Sequence, residues 1–228
     1  VLRRFSIDEV PQVLNVIRGQ MSLVGPRPLP VRDYEQLQDW HRKRYLVLPG
    51  MTGLWQISGR SELSFDDLVR LDFYYLAKLA DDMIVTMYDA PGLGLAAPQI
   101  GVLRQIVVID VDWGGEDDKN PLFLINPRIV EQSEEKAAGM EGCLSVPGVS
   151  FSIERSTHVV VQALDLEGRL MQYDAANNLM CVCLQHEIDH LHGITMLERL
   201  SPEQRLEGLR EYQEALAAGA RPGETGRE

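Results

Sequence analysis

The sequence predicts an α+β fold, with small mixed and antiparallel sheets gathered around one central helix and a mostly helical partial domain ahead of them. Three observations predict it. Residues 178–192 (NLMCVCLQHEIDHLH) carry a helical pattern that closes on Gly193, a natural stop. Between residues 106 and 175, four short apolar runs alternate with turn residues, as strands and hairpins do. The charge also steps along the chain. Residues 1–76 hold 10 Lys/Arg and 9 Asp/Glu, whereas the remainder holds 12 and 25, a net −13 that suggests two different things joined.

The elements follow in order. Residues 7–18 read as a helix, with Val10, Val13, Leu14 and Ile17 at helical spacing and Ser6 as its cap. The next stretch, GQMSLVGPRPLPV, has three prolines and cannot be regular helix. Residues 33–46 suggest a second helix with a basic end, and Leu54–Ile57 a short strand. Residues 64–88 predict a long helix with a ragged apolar face of Leu68, Leu71, Phe73, Leu76, Leu79, Met83 and Met87, capped by Ser64. A loop, APGLGLAAPQIGV, leads to the buried-type strand IVVIDV. LFLINPRIV is a second strand, interrupted at Pro127, and EGCLSVPG a loop or strand edge. Residues 157–166 and 169–175 form a hairpin, and residues 201–218 an exposed charged helix.

Composition narrows the functional classes. The 228 residues are 45% hydrophobic and 25% charged, which excludes disorder, collagen and coiled coil as descriptions of the whole. A net charge of −12 counts against nucleic acid as a specific partner. No run approaches the ~18 apolar residues of a membrane span, and no signal peptide opens the chain, which begins at Val1. Three cysteines make no disulfide scaffold and fit a reducing cytoplasm.

The strongest chemical signal is His186-Glu187-Ile188-Asp189-His190. Histidines at i and i+4 lie about 40° apart on a helix, one turn from each other, so both imidazoles can grip one metal ion. Glu187 projects about 100° from His186, where a carboxylate can take a proton from water activated beside the ion. This is the central, metal-binding helix of the predicted fold. The third ligand stays open on spacing alone. One zinc-protease pattern would place a histidine where Met196 stands; another would need a downstream carboxylate such as Glu207 or Glu214. Of the cysteines, Cys181 points elsewhere and Cys183 reads as a small buried hydrophobe. Cys143 comes from a second element and is the best geometric complement. The segment Gly92-x-Gly94-x-x-Ala97 also fits a dinucleotide fingerprint, with Asp110 or Asp112 downstream. A helical segment precedes it, however, and Pro98 and Gly101 follow at once, so the context fails.

Three segments, Gly92-Leu93-Gly94-Leu95-Ala96-Ala97-Pro98-Gln99, Glu141-Gly142-Cys143-Leu144-Ser145 and Gln185-His186-Glu187-Ile188-Asp189-His190, resemble the motifs of peptide deformylases, in order and unbroken over roughly residues 77–205. The resemblance implies hydrolysis of the N-formyl group from N-formylmethionyl nascent peptides, met at the ribosome, with release of formate. It implies one divalent ion on Cys143, His186 and His190, foremost ferrous iron, with zinc, nickel or cobalt also accommodated. Glu187 would be general base and then general acid, while the Gln99 side chain and the Leu144 backbone N–H would donate to the oxyanion. Asp189 would pair with Arg155 behind the ligands. Gly92 and Gly94 would receive the peptide as an added strand, and Leu144, Leu179 and Cys183 would line a methionine pocket. Ser150 stands where a larger or basic residue is frequent, and Asn177-Asn178 where a glycine is usual.

The first 76 residues resemble bacterial sugar transferases of the polyprenyl-phosphate phosphoglycosyl type, through Ser6–Gln12, Met21–Pro28, Pro49–Gln56 and Ser58-Gly59-Arg60. That resemblance makes Asp8-Glu9 the counterpart of a catalytic dyad and Arg27 a phosphate contact. By itself the pair also reads as first-turn carboxylates at a helix N-terminus. The family's membrane-embedded helix and its continuation past Tyr75 have no counterpart here, so the expectation is an inert remnant at 1–76 joined to a hydrolase at 77–228. The join, by gene fusion or a misjoined reading frame, falls at Leu76–Lys78. The alternatives are a transferase fragment carrying a passenger domain and an inactive fusion product.

Overall fold

The computed structural model describes residues 10–29, 34, 37–54 and 64–225. Asp8, Glu9, the proposed cap Ser6 and most of the expected strand Leu54–Ile57 lie outside the described residues. Two compact units emerge, Val1–Ala80 with Leu166–Gly168, and Asp81–Asp165 with Arg169–Glu228.

In the first unit, α1 runs Val10–Ile17 and gives way at Gly19, whose φ of 71° ends the helix. Two three-residue strands, β1 (Ser22–Val24) and β2 (Gly50–Thr52), pair in parallel. The sequence reading gave neither, because three residues are too few for an alternation to register. A side chain at Gly50 would meet the Gly25 nitrogen at 2.2 Å, so the pairing requires glycine there. The expected helix over 33–46 is interrupted: Tyr34 is helical, residues 37–38 are not, and α2 spans Asp39–Arg42 and continues as a 3₁₀ turn, Lys43–Leu46. Gln38 is extended and caps it, its backbone N–H donating to His41 Nδ1 at 3.2 Å.

Helix α3, Phe65–Asp89, matches its predicted span and is capped by Ser64 Oγ, which accepts from the Asp67 N–H at 3.2 Å. Its buried stripe is Val69, Asp72, Leu76, Leu79, Met83 and Met87. The predicted face was displaced at its start because the stripe includes an aspartate. Asp72 is buried against Arg44 at 2.9 Å, a pairing that a hydrophobicity pattern does not reveal.

The second unit is built on a five-stranded antiparallel sheet in the order β3-β4-β5-β8-β9. Its strands are β3 (Gly94–Ala96), β4 (Ile106–Ile109), β5 (Leu122–Gln132), β8 (His158–Leu164) and β9 (Leu170–Ala176). Strand β4 is buried throughout, as its uninterrupted IVVI run requires. Strand β5 does not break at Pro127. Asn126, at φ 51°, opens a bulge that shifts the register between Ile125 and Arg128 and accommodates the ring. One face of the sheet packs on helix α4 (Leu179–Leu191): Val107, Ile109, Leu124, Val159 and Val161 meet Leu184, Ile188 and Leu191.

A separate hairpin, β6 (Lys136–Cys143) with β7 (Val146–Ser156), turns within EGCLSVPG, the segment expected as a loop or strand edge. Cys143, Val146, Val149 and Ile153 cluster with Met196 and Leu197 of a 3₁₀ turn, Met196–Arg199. Helix α5, Pro202–Ala217, then follows, capped by Ser201.

Candidate metal centre

Helix α4 is unusual in being buried along nearly its whole length while carrying two histidines and two carboxylates. Each polar group buried this way needs a partner. The helix starts where Asn178 Oδ1 accepts the Cys181 N–H at 2.9 Å. Asn177 before it sits at φ 51°, so an asparagine does there what a glycine does more cheaply. Gly193, at φ 73°, ends it as the sequence reading expects.

The sulfur comes from the end of β6. Gly142 pairs with Ser150 but Cys143 pairs with Val146, so residues 147–149 of β7 bulge out. Bulges re-aim side chains, and this one brings the thiol over α4. Cys143 Sγ lies 3.3 Å from His190 Nε2, which lies 3.2 Å from His186 Nε2. The donor atoms of the three residues all lie within 4.8 Å of one another. Among the described residues no other His/Cys/Asp/Glu group has this geometry. Glu207 and Glu214 lie exposed on α5, Met196 is buried beneath the β6–β7 hairpin, and Cys181 and Cys183 instead face the carbonyls of Ser156 and Leu93.

The opposite ring nitrogen of His186, Nδ1, meets Glu141 Oε2 at 2.8 Å, which turns Nε2 toward the cluster. Arg155 grips Glu141 through Nε at 2.7 Å and Nη2 at 2.9 Å, and reaches Asp189 Oδ2 through Nη1 at 2.5 Å. Arg199 closes on Asp189 from the other side, its Nε 2.9 Å from Oδ2. The pairing of Asp189 with Arg155 was an expectation from the resemblance. Glu141 and Arg199 were given no role by sequence. Glu141 is two residues before Cys143 on one strand and so shares its face, a signal that was available; no spacing rule points to Arg199.

The electrostatics follow from this packing. Burial pushes the Cys143 thiol up, but hydrogen bonds from His186 and His190 overcome it and hold it down to about 6. Burial would lower His186; its bonds to Cys143 and Glu141 raise it instead, to about 10. Glu141 is held well below the ordinary range, the bonds from Arg155 and His186 outweighing burial. A thiolate facing shared imidazole protons is what a cation replaces. One soft sulfur and two imidazole nitrogens suit a first-row divalent ion and leave coordination positions for water or substrate, so the residues present fit such an ion.

Glu187 stands beside this cluster, only 4% exposed, with no hydrogen-bond partner for Oε2. Burial, first of all, pushes its carboxyl up to about 7. It packs against Gly94, where a Cβ would lie 2.5 Å from Oε1. The cluster opens into a cavity of about 230 Å³, on whose walls Gly92, Gly94, Leu144, Leu179 and Cys183 all lie. Gln99 reaches the same cavity. Its Oε1 accepts the Ala96 N–H at 2.7 Å, so its NH₂ faces Ser145 Oγ at 3.0 Å and Cys143 Sγ at 3.8 Å. The Gly92 loop is tied down by Trp113 Nε1, which donates to the Gly92 carbonyl at 3.0 Å.

A sulfur and two imidazoles one turn apart, with a buried carboxylate on the wall of a cleft, define a metallohydrolase on an α+β scaffold. The family model described as polypeptide deformylase matches residues 66–206, and the chain belongs to that family. A second model, bacterial sugar transferase, matches residues 1–87. Among relatives, a peptide deformylase of Rhizobium meliloti (strain 1021) is 45% identical over 140 residues, 61% of this chain and 79% of the relative. Among solved structures, a peptide deformylase from Legionella pneumophila is 41% identical with a TM-score of 0.58, covering 64% of this chain and 84% of that one. One from Synechococcus elongatus, solved in complex with actinonin, is 38% identical with a TM-score of 0.55 over 63% of this chain and 74% of that one.

Proposed function

We propose that this chain hydrolyses N-formylmethionyl peptides of newly made proteins, giving formate and a free amine. The observation that carries this reading is the convergence of Cys143, His186 and His190 beside the buried Glu187 carboxylate, whose Oε2 has no hydrogen-bond partner, on one cleft wall. These three residues would hold a divalent ion, ferrous iron foremost, whose chemistry is to acidify water and polarise the formyl carbonyl.

The remaining roles belong to the chain's own groups. Glu187, poised near neutrality, takes a proton from the attacking water and returns it to the departing amine. Gln99 is fixed at one end by Ala96, which leaves its NH₂ to donate to the carbonyl oxygen as negative charge develops. The Leu144 backbone N–H is assigned as the second donor. Arg155 and Glu141 lock His186 in one tautomer, and Asp189 completes the support. Strand β3 pairs with β4 and stands at the edge of the sheet, so a peptide can lie along Gly92–Gly94 as an added strand. Leu144, Leu179 and Cys183 offer the methionine side chain apolar walls.

We further assign residues 77–228 to this hydrolase and residues 1–76 to a transferase-derived remnant without activity of its own. Among the described residues no helix is long and apolar enough to cross a membrane. A cytoplasmic location with access to nascent chains is in keeping with the substrate.

The test is formate release from an N-formylmethionyl tripeptide by the iron-loaded chain. Glu187→Ala should lower kcat by about 10²–10⁴-fold, the range for a positioned acid–base group, with metal content unchanged. Full activity in that variant removes Glu187 from the mechanism.

A further inference from the structure

The cleft is lined by a segment that the proposed chemistry does not use. Beyond α5 the chain turns back, and Gly223, Glu224 and Thr225 join the walls of the metal-centre cavity. The turn is fixed at its root. Gly148, at φ 81°, lies where a Cβ would meet the β-carbons of Ala215 and Ala220 at 2.7 Å, so the helix end packs directly on the β7 bulge. The Ala220 N–H then donates to the Ala215 carbonyl at 3.0 Å. Residues 221–224 close a second turn, with the Arg221 N–H on Glu224 Oε2 at 2.9 Å and the Glu224 N–H on the Arg221 carbonyl at 3.0 Å.

From there the segment meets both rims of the cleft. On one rim Gly223 packs against Ala90, and a Cβ would lie 2.0 Å from the Ala90 carbonyl oxygen. On the other, Thr225 packs on Gly142, where a Cβ would lie 2.8 Å from Thr225 Cγ2. Between them the Gly148 N–H donates to the Glu224 carbonyl at 2.8 Å, a backbone bond of the kind an incoming peptide makes. The two rims are the approach to Gly92–Gly94 and the end of β6 from Glu141 on, with Leu144 just past it, between which the substrate backbone would lie.

We infer that residues 221–225 form a strap that occupies the peptide lane and competes with the substrate, so that the chain restrains its own hydrolase site. This rests on the reading of the cleft as a peptide site. Only glycine fits at 223, for its φ of 90° and for its contact with Ala90. Gly223→Val in the full chain therefore unseats the strap without touching any residue that holds metal, water or substrate.

Two measurements on the full chain and on Gly223→Val decide the matter. Amide hydrogen exchange at Gly148 reads the strap's seat, and the KM and kcat of formate release read the competition. The expected result is faster exchange at Gly148 with a lower KM and unchanged kcat; a strap closed nine-tenths of the time raises KM about tenfold. Unchanged exchange overturns the inference, as does faster exchange with the same KM. Should neither protein release formate, the reading of the site fails, and calorimetric binding of the formyl-methionyl tripeptide takes the place of KM: tighter binding by Gly223→Val supports the strap, and equal binding overturns it.

Discussion

Glu187 is held in place less by a bond than by the want of a side chain opposite it. Gly94 carries no Cβ, and one added there would stand 2.5 Å from Oε1, closer than the carboxylate can tolerate. Gly94→Ala should thus displace the acid–base group by a fraction of an ångström to an ångström, which for a positioned catalytic group costs about 10²-fold. The expected outcome is a kcat lowered by that order with thermal stability close to the parent's, measured by formate release and a melting curve; an unchanged kcat would mean the carboxylate acts from elsewhere. At this scale much of the site was legible. Two histidines a turn apart announce themselves through helical periodicity, and the glutamate between them through its chemistry. Glu141 was hidden because its role depends on the pleat of β6 and on a ring nitrogen turned away from the cluster. Arg199 was hidden because it meets Asp189 from a turn beyond the helix end.

Among the elements, α4 must keep its polar side chains aligned within a buried helix, so its ends matter more than their local energies suggest. Asn178 supplies the N-cap, and replacing it by alanine removes the acceptor of the Cys181 N–H. Asn178→Ala should cost about 1 kcal/mol, read as a lower urea midpoint with an unchanged slope; no loss would show that the β9–α4 junction is fixed by packing alone. The long helix and the hairpin of β8 and β9 could be read from periodicity because each has a sustained pattern, and the buried β4 from its uninterrupted apolar run. Strands β6 and β7 could not. KAAGMEGC carries almost no apolar alternation, and its register is set by a bulge at Gly142–Cys143. Strand β3 reads as loop for a related reason: its three residues are all buried, too few to show a pattern, and Gly94 is the one that passes Glu187. The elements that escaped the sequence are thus the ones that deliver the thiol and the peptide edge.

Over the whole molecule the two compact units differ in what their buried charges do. In the first, Asp72 is 2% exposed and lies against Arg44, with Tyr45 the other titratable group in the same field. Burial outweighs the attraction of Arg44 and raises the Asp72 carboxyl from 3.8 to about 6. Folding therefore binds a proton more tightly than the open chain does between those two values. Because the folded form holds more protons there, stability falls as pH rises from about 4 to about 6, and it is fully retained only below that window. The change is at most about 3 kcal/mol, the size of such a shift in a buried carboxyl. Amide protection over residues 41–52, corrected for the intrinsic pH dependence of exchange, should be greater at pH 4 than at pH 7. Strands β4 and β8 of the second unit serve as an internal control, since Asp72 belongs to the other unit. Asp72→Asn, whose side chain is uncharged like the protonated carboxyl at both values, should flatten the difference. Protection that instead rises through this window would mean that Arg44 holds Asp72 ionised, and that attraction, not burial, governs the core of the first unit.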